Sequence, residues 1–292
     1  MLQRLVGCLL LGLAALMPTP ARADDAKIVL IAGRPSHPKG AHEFNAGMKL
    51  LTKCLEDVPG VKPVFVAGGW PADESVFDGA KAVVFFMDGG GGHPIIQGDH
   101  LAKIGKLMER GVGLACMHYA VEVPNGKGGP EFLDWIGGYY EDKFSTNPHW
   151  TAEIKSLPDH PITRGVKPFA VEDEWYYNIR FRPEMKGVTP ILVAAPSDET
   201  RLGNSASPRG PYPHIVAANG RPEILAWAVE RPDGGRGFGF TGGHFHKNWG
   251  DADFRTLVLN AIAWTAKLDV PPGGIKSAVT PDELAKNLDP KK

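Results

Sequence analysis

Four short, nearly continuous apolar runs, residues 27–33, 61–67, 80–87 and 112–118, restrict this chain's fold more than any other feature. Runs of this length without polar alternation need cover on both faces, the mark of central parallel strands. Residues 41–55 carry Phe44, Met48, Leu51 and Leu55 at helical spacing, and residues 101–108 also read as helical. Strand and helix in alternation predict a βαβ series with right-handed crossovers. The expected fold is therefore α/β and flavodoxin-like: a doubly wound, mostly parallel sheet with helices on both faces. Ligands of such sheets bind beyond the carboxyl ends of the strands. The loops after Gly33, Met87, His118 and Phe240 are thus the informative ones.

From Trp150 to about Arg231 the pattern changes to short strands (151–155, 188–194, 224–229) among frequent Pro and Gly. This stretch reads as a β-rich elaboration packed over the sheet, inside one domain spanning 24–268. Residues 238–241 return to the sheet. Residues 254–266 form a closing amphipathic helix, with Asp251 and Asp253 favourably placed at its N-terminus. Residues 269–292 are Pro/Gly-rich and then charged, a loosely docked tail.

The first 23 residues have the layout of a signal peptide: Arg4, an apolar stretch from Leu9 to Met17, and Ala21-Arg22-Ala23 as cleavage site. Export to the periplasm or beyond is expected, with no stable membrane insertion after cleavage. Cys8 precedes the apolar run, which argues against lipidation. Cleavage removes Arg4 and Arg22, so 32 basic residues become 30 against 33 acidic, a net of about −3. That balance offers no footprint for nucleic acid or an anionic membrane. The two remaining cysteines, Cys54 on a helix and Cys116 in a strand, both read as buried free thiols.

The candidate chemistry gathers at strand ends. Gly242-Gly243-His244-Phe245-His246 follows an apolar strand, and residues i and i+2 of an extended segment face the same way, so His244 and His246 are expected to share a pocket. A second apolar strand ends in His118. His42 opens a helix just past the first strand, and His93 follows the Gly89–Gly92 loop, which lacks the Gly-Lys-Ser/Thr ending of a phosphate loop. His149 and Trp150 begin a strand, while His160 sits in a turn. Asp173, Glu174, Trp175 and Tyr176 set carboxylates beside aromatic surfaces. His and Glu ligands assembled from distant loops suit a divalent transition metal.

Together these segments resemble the ThuA-like (trehalose-utilisation) family, of the class I glutamine amidotransferase-like superfamily. The resemblance rests on Gly113–Ala120, Asp159–Gly165, Asp173-Glu174-Trp175-Tyr176, Ala226-Trp227, Gly239–Trp249, Phe254-Arg255 and Ala263-Trp264. Against true amidotransferases, His118 occupies the nucleophile's place on the strand-to-helix elbow, with Cys116 two residues too early. His246-Lys247-Asn248 resembles their His-Pro-Glu, Asn248 replacing the acid that orients the base. Glutamine hydrolysis is therefore not expected.

The resemblance implies instead work on disaccharides or other glycosides, through 3-keto intermediates, by a hydrolase or lyase with a small carbohydrate as partner. A 3-keto group acidifies the neighbouring C2–H, so that a base can open the glycosidic bond by elimination. On this reading His118, His246 and Glu174 are catalytic, and His118, His244, His246 and Glu174 hold a metal. His42, His93, His149, Trp150, Asp173, Trp175, Tyr176, Asn248 and Trp249 bind substrate. The alternative is a carbohydrate-binding protein without catalysis.

Overall fold

The computed structural model describes residues 25–203 and 212–291; the expected signal segment lies outside them. The first half alternates as its apolar runs require: β1 (Ala26–Ala32), α1 (Phe44–Glu56), β2 (Val61–Val66), β3 (Ala80–Phe86), α2 (His100–Glu109), β4 (Gly113–Met117) and α3 (Gly129–Ile136). There follow β5 (Gly138–Tyr139), β6 (His149–Ile154), β7 (Phe169–Glu174), β8 (Arg180–Phe181) and β9 (Val188–Ala194). Two one-turn helices, α4 (Asp198–Arg201) and α5 (Pro213–Val216), lead to β10 (Glu223–Glu230) and β11 (Arg236–Phe240). The chain closes with α6 (Ala252–Thr265) and α7 (Pro281–Leu284).

Seven strands make one sheet in the order β2-β1-β3-β4-β11-β10-β9. The first five are mutually parallel, and β10 runs antiparallel to both neighbours. Alternate residues of the central strands feed two cores. Leu30, Phe86 and Met117 pack with Phe44 and Met48 of α1 and Leu257 of α6. Val29, Phe85 and Leu114 pack with Ile104 of α2 and Phe132 of α3. Cys54 and Cys116 are buried and free, as expected.

Three expectations about the second half need correction. Residues 188–194 and 224–229 do not lie over the sheet: they are β9 and β10, its antiparallel extension. The near-complete burial of β10 required a strand on each side of it, and Gly239 of β11 leaves the space that the Trp227 ring fills. The elaboration proper is the two-stranded β6–β7 ladder and the short β5–β8 pair. Second, α6 is not amphipathic. All residues from Phe254 to Thr265 are buried, so a helix expected to show one face to water is covered all round.

The cover comes partly from the tail, the third correction. Val270 and Ile275 are buried, and the fully buried Asn260 of α6 ties three segments together. Its Nδ2 donates to the carbonyls of Ile162 and Arg164 (both 2.9 Å), and its Oδ1 accepts from Ile275 N–H (2.8 Å). Asn260→Ala would leave these three backbone groups unsatisfied at about 1 kcal/mol or more each. Urea titration is expected to show a loss of about 3 kcal/mol with an unchanged slope.

Candidate functional site

The loops after β1, β3, β4 and β11 converge at one edge of the sheet, joined there by the end of β7. His118 is the first residue past β4 and has left-handed backbone (φ +54°), as do His42 (φ +48°) and His37 (φ +62°) after β1. Left-handed backbone is costly for a residue with a Cβ, and its clustering here marks a site held in shape by its surroundings.

The buried centre holds His42, His118, His244 and Glu174, whose ligand-capable atoms all lie within 4.8 Å of one another. His42 Nε2 and His118 Nε2 are 2.9 Å apart. His244 Nδ1 is 3.3 Å from His118 Nε2 and 3.0 Å from Glu174 Oε2, which in turn is 3.5 Å from His118 Nε2. The outer nitrogens fix the tautomers. His118 Nδ1–H donates to the Thr241 carbonyl (2.9 Å), and His42 Nδ1–H to Asp88 Oδ1 (2.9 Å). The two Nε2 atoms therefore face each other, an arrangement that is repulsive unless a proton or a metal cation lies between them. Asn147 Nδ2 holds the other oxygen of Glu174 (3.0 Å), and the Tyr176 hydroxyl reaches His118 Nε2 (3.3 Å).

The electrostatics agree. Burial pulls His118 down, yet the Glu174 carboxylate carries it above its ordinary value. Burial pushes Glu174 up, and His118 with His244 outweighs it, holding the carboxyl below its usual range. His42 is lowered by burial and then by its imidazole neighbours. One positive charge is favoured at the centre, and a second imidazolium is not.

A divalent cation with bonds near 2.0–2.2 Å in tetrahedral surroundings sets its ligand atoms about 3.3 Å apart. The contacts of 2.9, 3.0, 3.3 and 3.5 Å bracket that figure. Three imidazoles and a carboxylate, with Asp88 and Thr241 orienting two of the imidazoles, form a donor set able to hold such an ion.

His246 is not part of this centre. It lines the same cleft as His244 but does not reach the cluster. His246 instead starts a 3-10 turn and donates from Nε2 to the Leu284 carbonyl of the tail (2.8 Å). In the cluster, His42 stands beside His118, His244 and Glu174 where His246 was expected. Asn248 does not orient a base either: its Nδ2 donates to Glu172 O (2.9 Å) and Asp173 Oδ2 (3.0 Å).

Several expected substrate contacts are structural. His93 is fully buried, accepts from Ile95 N–H (3.1 Å) and donates to Ala120 O (3.1 Å); burial lowers it to about 4. Gly90 N–H in the preceding glycine loop is committed to Glu122 O (2.9 Å). Trp150 and Trp175 bury their rings, their Nε1–H groups donating to Trp175 O and Val171 O, and Trp249 is fully buried. Tyr176 meets the centre from within the core and offers no open stacking face. Asp173 is buried and holds the loop after β11. His149 is partly exposed at the mouth, its Nε2 3.9 Å from Glu174 Oε1. Cys116, inside β4, is fully buried and its thiol is pushed up, so no activated nucleophile exists there. Sequence reasoning missed Asp88, the first polar residue after β3 in a loop already marked as informative. It also missed Asn147, which carries no local signal.

The sequence profile of the trehalose-utilisation (ThuA) family matches residues 42–265. The chain belongs to the ThuA family. Two solved ThuA-like proteins share the fold of this family member. The one from Parabacteroides merdae has TM-score 0.57 at 19% identity, over 89% of this chain and 94% of the other. The one from Bacteroides uniformis has TM-score 0.58 at 16% identity, over 89% and 98%. No curated protein matches this ThuA chain.

The left-handed backbone at His118 has a measurable signature. Gly and Ala both delete the imidazole, but only Gly relieves φ +54°. His118→Gly is therefore expected to be more stable than His118→Ala by about 1 kcal/mol in chemical denaturation.

Proposed function

We propose that this chain is an exported enzyme of hydrolase or lyase type that opens glycosidic bonds in 3-keto sugars. In this reading His42, His118, His244 and Glu174 hold a divalent transition metal ion. The observation that supports it is the convergence of three imidazoles and a carboxylate, all buried, with ligand-capable atoms within 4.8 Å of one another. When bound, such an ion supplies Lewis acidity toward a carbonyl oxygen.

The protein's own groups do the rest. Asp88 and Thr241 keep the imidazoles in the ligating tautomer. His149, partly exposed beside Glu174 and lowered by burial so that it is neutral at pH 7, is placed to accept a proton at Nε2. In the proposed reaction that proton leaves C2 of the 3-keto sugar. The C2–H electron pair becomes the C1–C2 double bond as the C1–O bond breaks, and the leaving oxygen takes a proton from His149. Addition of water to the resulting enone completes a hydrolysis; release of the enone is the lyase outcome.

Metal analysis of protein loaded and dialysed at neutral pH is expected to give one equivalent, lost in His42→Ala and His118→Ala. Turnover of a 3-keto-disaccharide should stop on chelation. His149→Ala should keep its metal and lose about 100-fold or more in kcat. Metal-free protein with full turnover, or His42→Ala and His118→Ala variants as active as the parent, would sink the reading.

A further inference from the structure

Beside the centre lies a cleft of ≈ 830 Å³ whose two ends differ in chemistry. At one end it is lined by Glu174, His244 and His149. The rest of its wall carries seven apolar residues, Pro38, Ala41 and Phe245 from the sheet-edge loops and Pro281, Leu284, Ala285 and Leu288 from the tail, together with the imidazoles of His37 and His246, the latter already bonded to the Leu284 carbonyl. Lys39 and Lys247 stand at the rim, and both are exposed.

The tail wall is held in place by buried polar contacts. Glu43, fully buried next to His42, accepts Asp289 N–H on Oε2 (2.7 Å) and lies 3.4 Å from Lys291 Nζ. Lys291 Nζ also donates to the carbonyls of Ala41 and of His42 (the latter 3.0 Å). Asn45 Nδ2 donates to Asp289 Oδ1 (2.7 Å), and Leu284 O accepts from His246. Leu284 packs partly onto the core, whereas Leu288 is half-buried and not part of that packing. The match to the family profile ends at residue 265, so the tail wall lies outside it.

We propose that this half of the cleft is a subsite for an apolar aglycone, making the substrates aryl or branched-alkyl glycosides in preference to disaccharides. The inference rests on the reading that a sugar carbonyl faces the histidine–glutamate centre; the cleft is continuous with that centre through Glu174 and His244. A second hexose would carry hydroxyls on every edge into a wall with few partners, and buried hydroxyls without partners disfavour binding. A phenyl or alkyl group meets matching apolar surface there.

The test is calorimetric binding of 4-nitrophenyl glucoside and of trehalose to the full chain, with and without added Zn²⁺, beside sedimentation to report the oligomeric state. The aryl glucoside is expected to bind at least 10-fold tighter than trehalose. Leu288→Asp should remove that preference to within about two-fold, and Phe245→Ser should do the same from the opposite wall. Hydrogen exchange over residues 280–291 checks that the tail stays docked in each variant. Equal affinity for the two probes, or a preference untouched by both variants, overturns the proposal. So does a dimer that Leu288→Asp dissociates, because a second copy would then occupy the cleft. Since these are binding measurements, they read the subsite even in a protein that holds no metal and turns over no keto sugar, the outcome that would sink the enzymatic reading alone.

Discussion

The Asp173 carboxylate is the contact through which the site takes shape. It is fully buried and accepts from Gly243 N–H (2.7 Å), Phe245 N–H (3.2 Å), Asn248 Nδ2 (3.0 Å) and Glu174 N–H (2.8 Å). A buried charge is tolerable only when its lone pairs are met in this way. Three of the four donors belong to the loop after β11, so the carboxylate fixes the path of the segment that carries His244. The next residue along β7, Glu174, points the other way, as strand alternation demands, and enters the centre. One strand thus orders a loop with one side chain and supplies the carboxylate of the histidine cluster with the next.

The sheet contributes the opposite half. Parallel order puts the ends of β1, β3, β4 and β11 side by side, which brings His42, Asp88, His118 and Thr241 within bonding reach of one another. His42 and His118 each have the Nδ1–H drawn outward and Nε2 turned inward. Such an interior is stable around one positive charge, and the carboxylate of Glu174 supplies the balancing negative one.

Much of this was legible in the sequence, for identifiable reasons. Continuous apolar runs specify buried parallel strands, so the first four strands and the site's edge of the sheet followed directly. His118 and His244 were legible because each follows an apolar strand, and Glu174 because it stands among carboxylates directly before a run of aromatics. The pairing of His244 with His246 as ligands failed because the chain enters a 3-10 turn at His246 and that ring is taken by the Leu284 carbonyl, a partner far away in sequence. The tryptophans beside the histidines were misread because proximity to a site does not overcome the gain from burying so large an apolar surface. His42 could be placed near the crevice but not in the centre, since its orientation depends on Asp88, distant in sequence. Residues 188–194 and 224–229 were legible as strands, but their place in the main sheet depended on antiparallel partners that local pattern does not reveal.

The docked tail has a consequence for handling the protein. Glu43 is a charge with no access to water, and its ion pair comes from Lys291, whose side chain is itself only 4% exposed. Loss of the last two residues to a carboxypeptidase would remove that partner while leaving every strand and helix intact. The damage would fall on the segment that presents His42, at the far end of the sequence from the cut. A preparation trimmed in this way would differ by a few hundred daltons and yet be altered at its centre, so intact mass is worth checking on every batch.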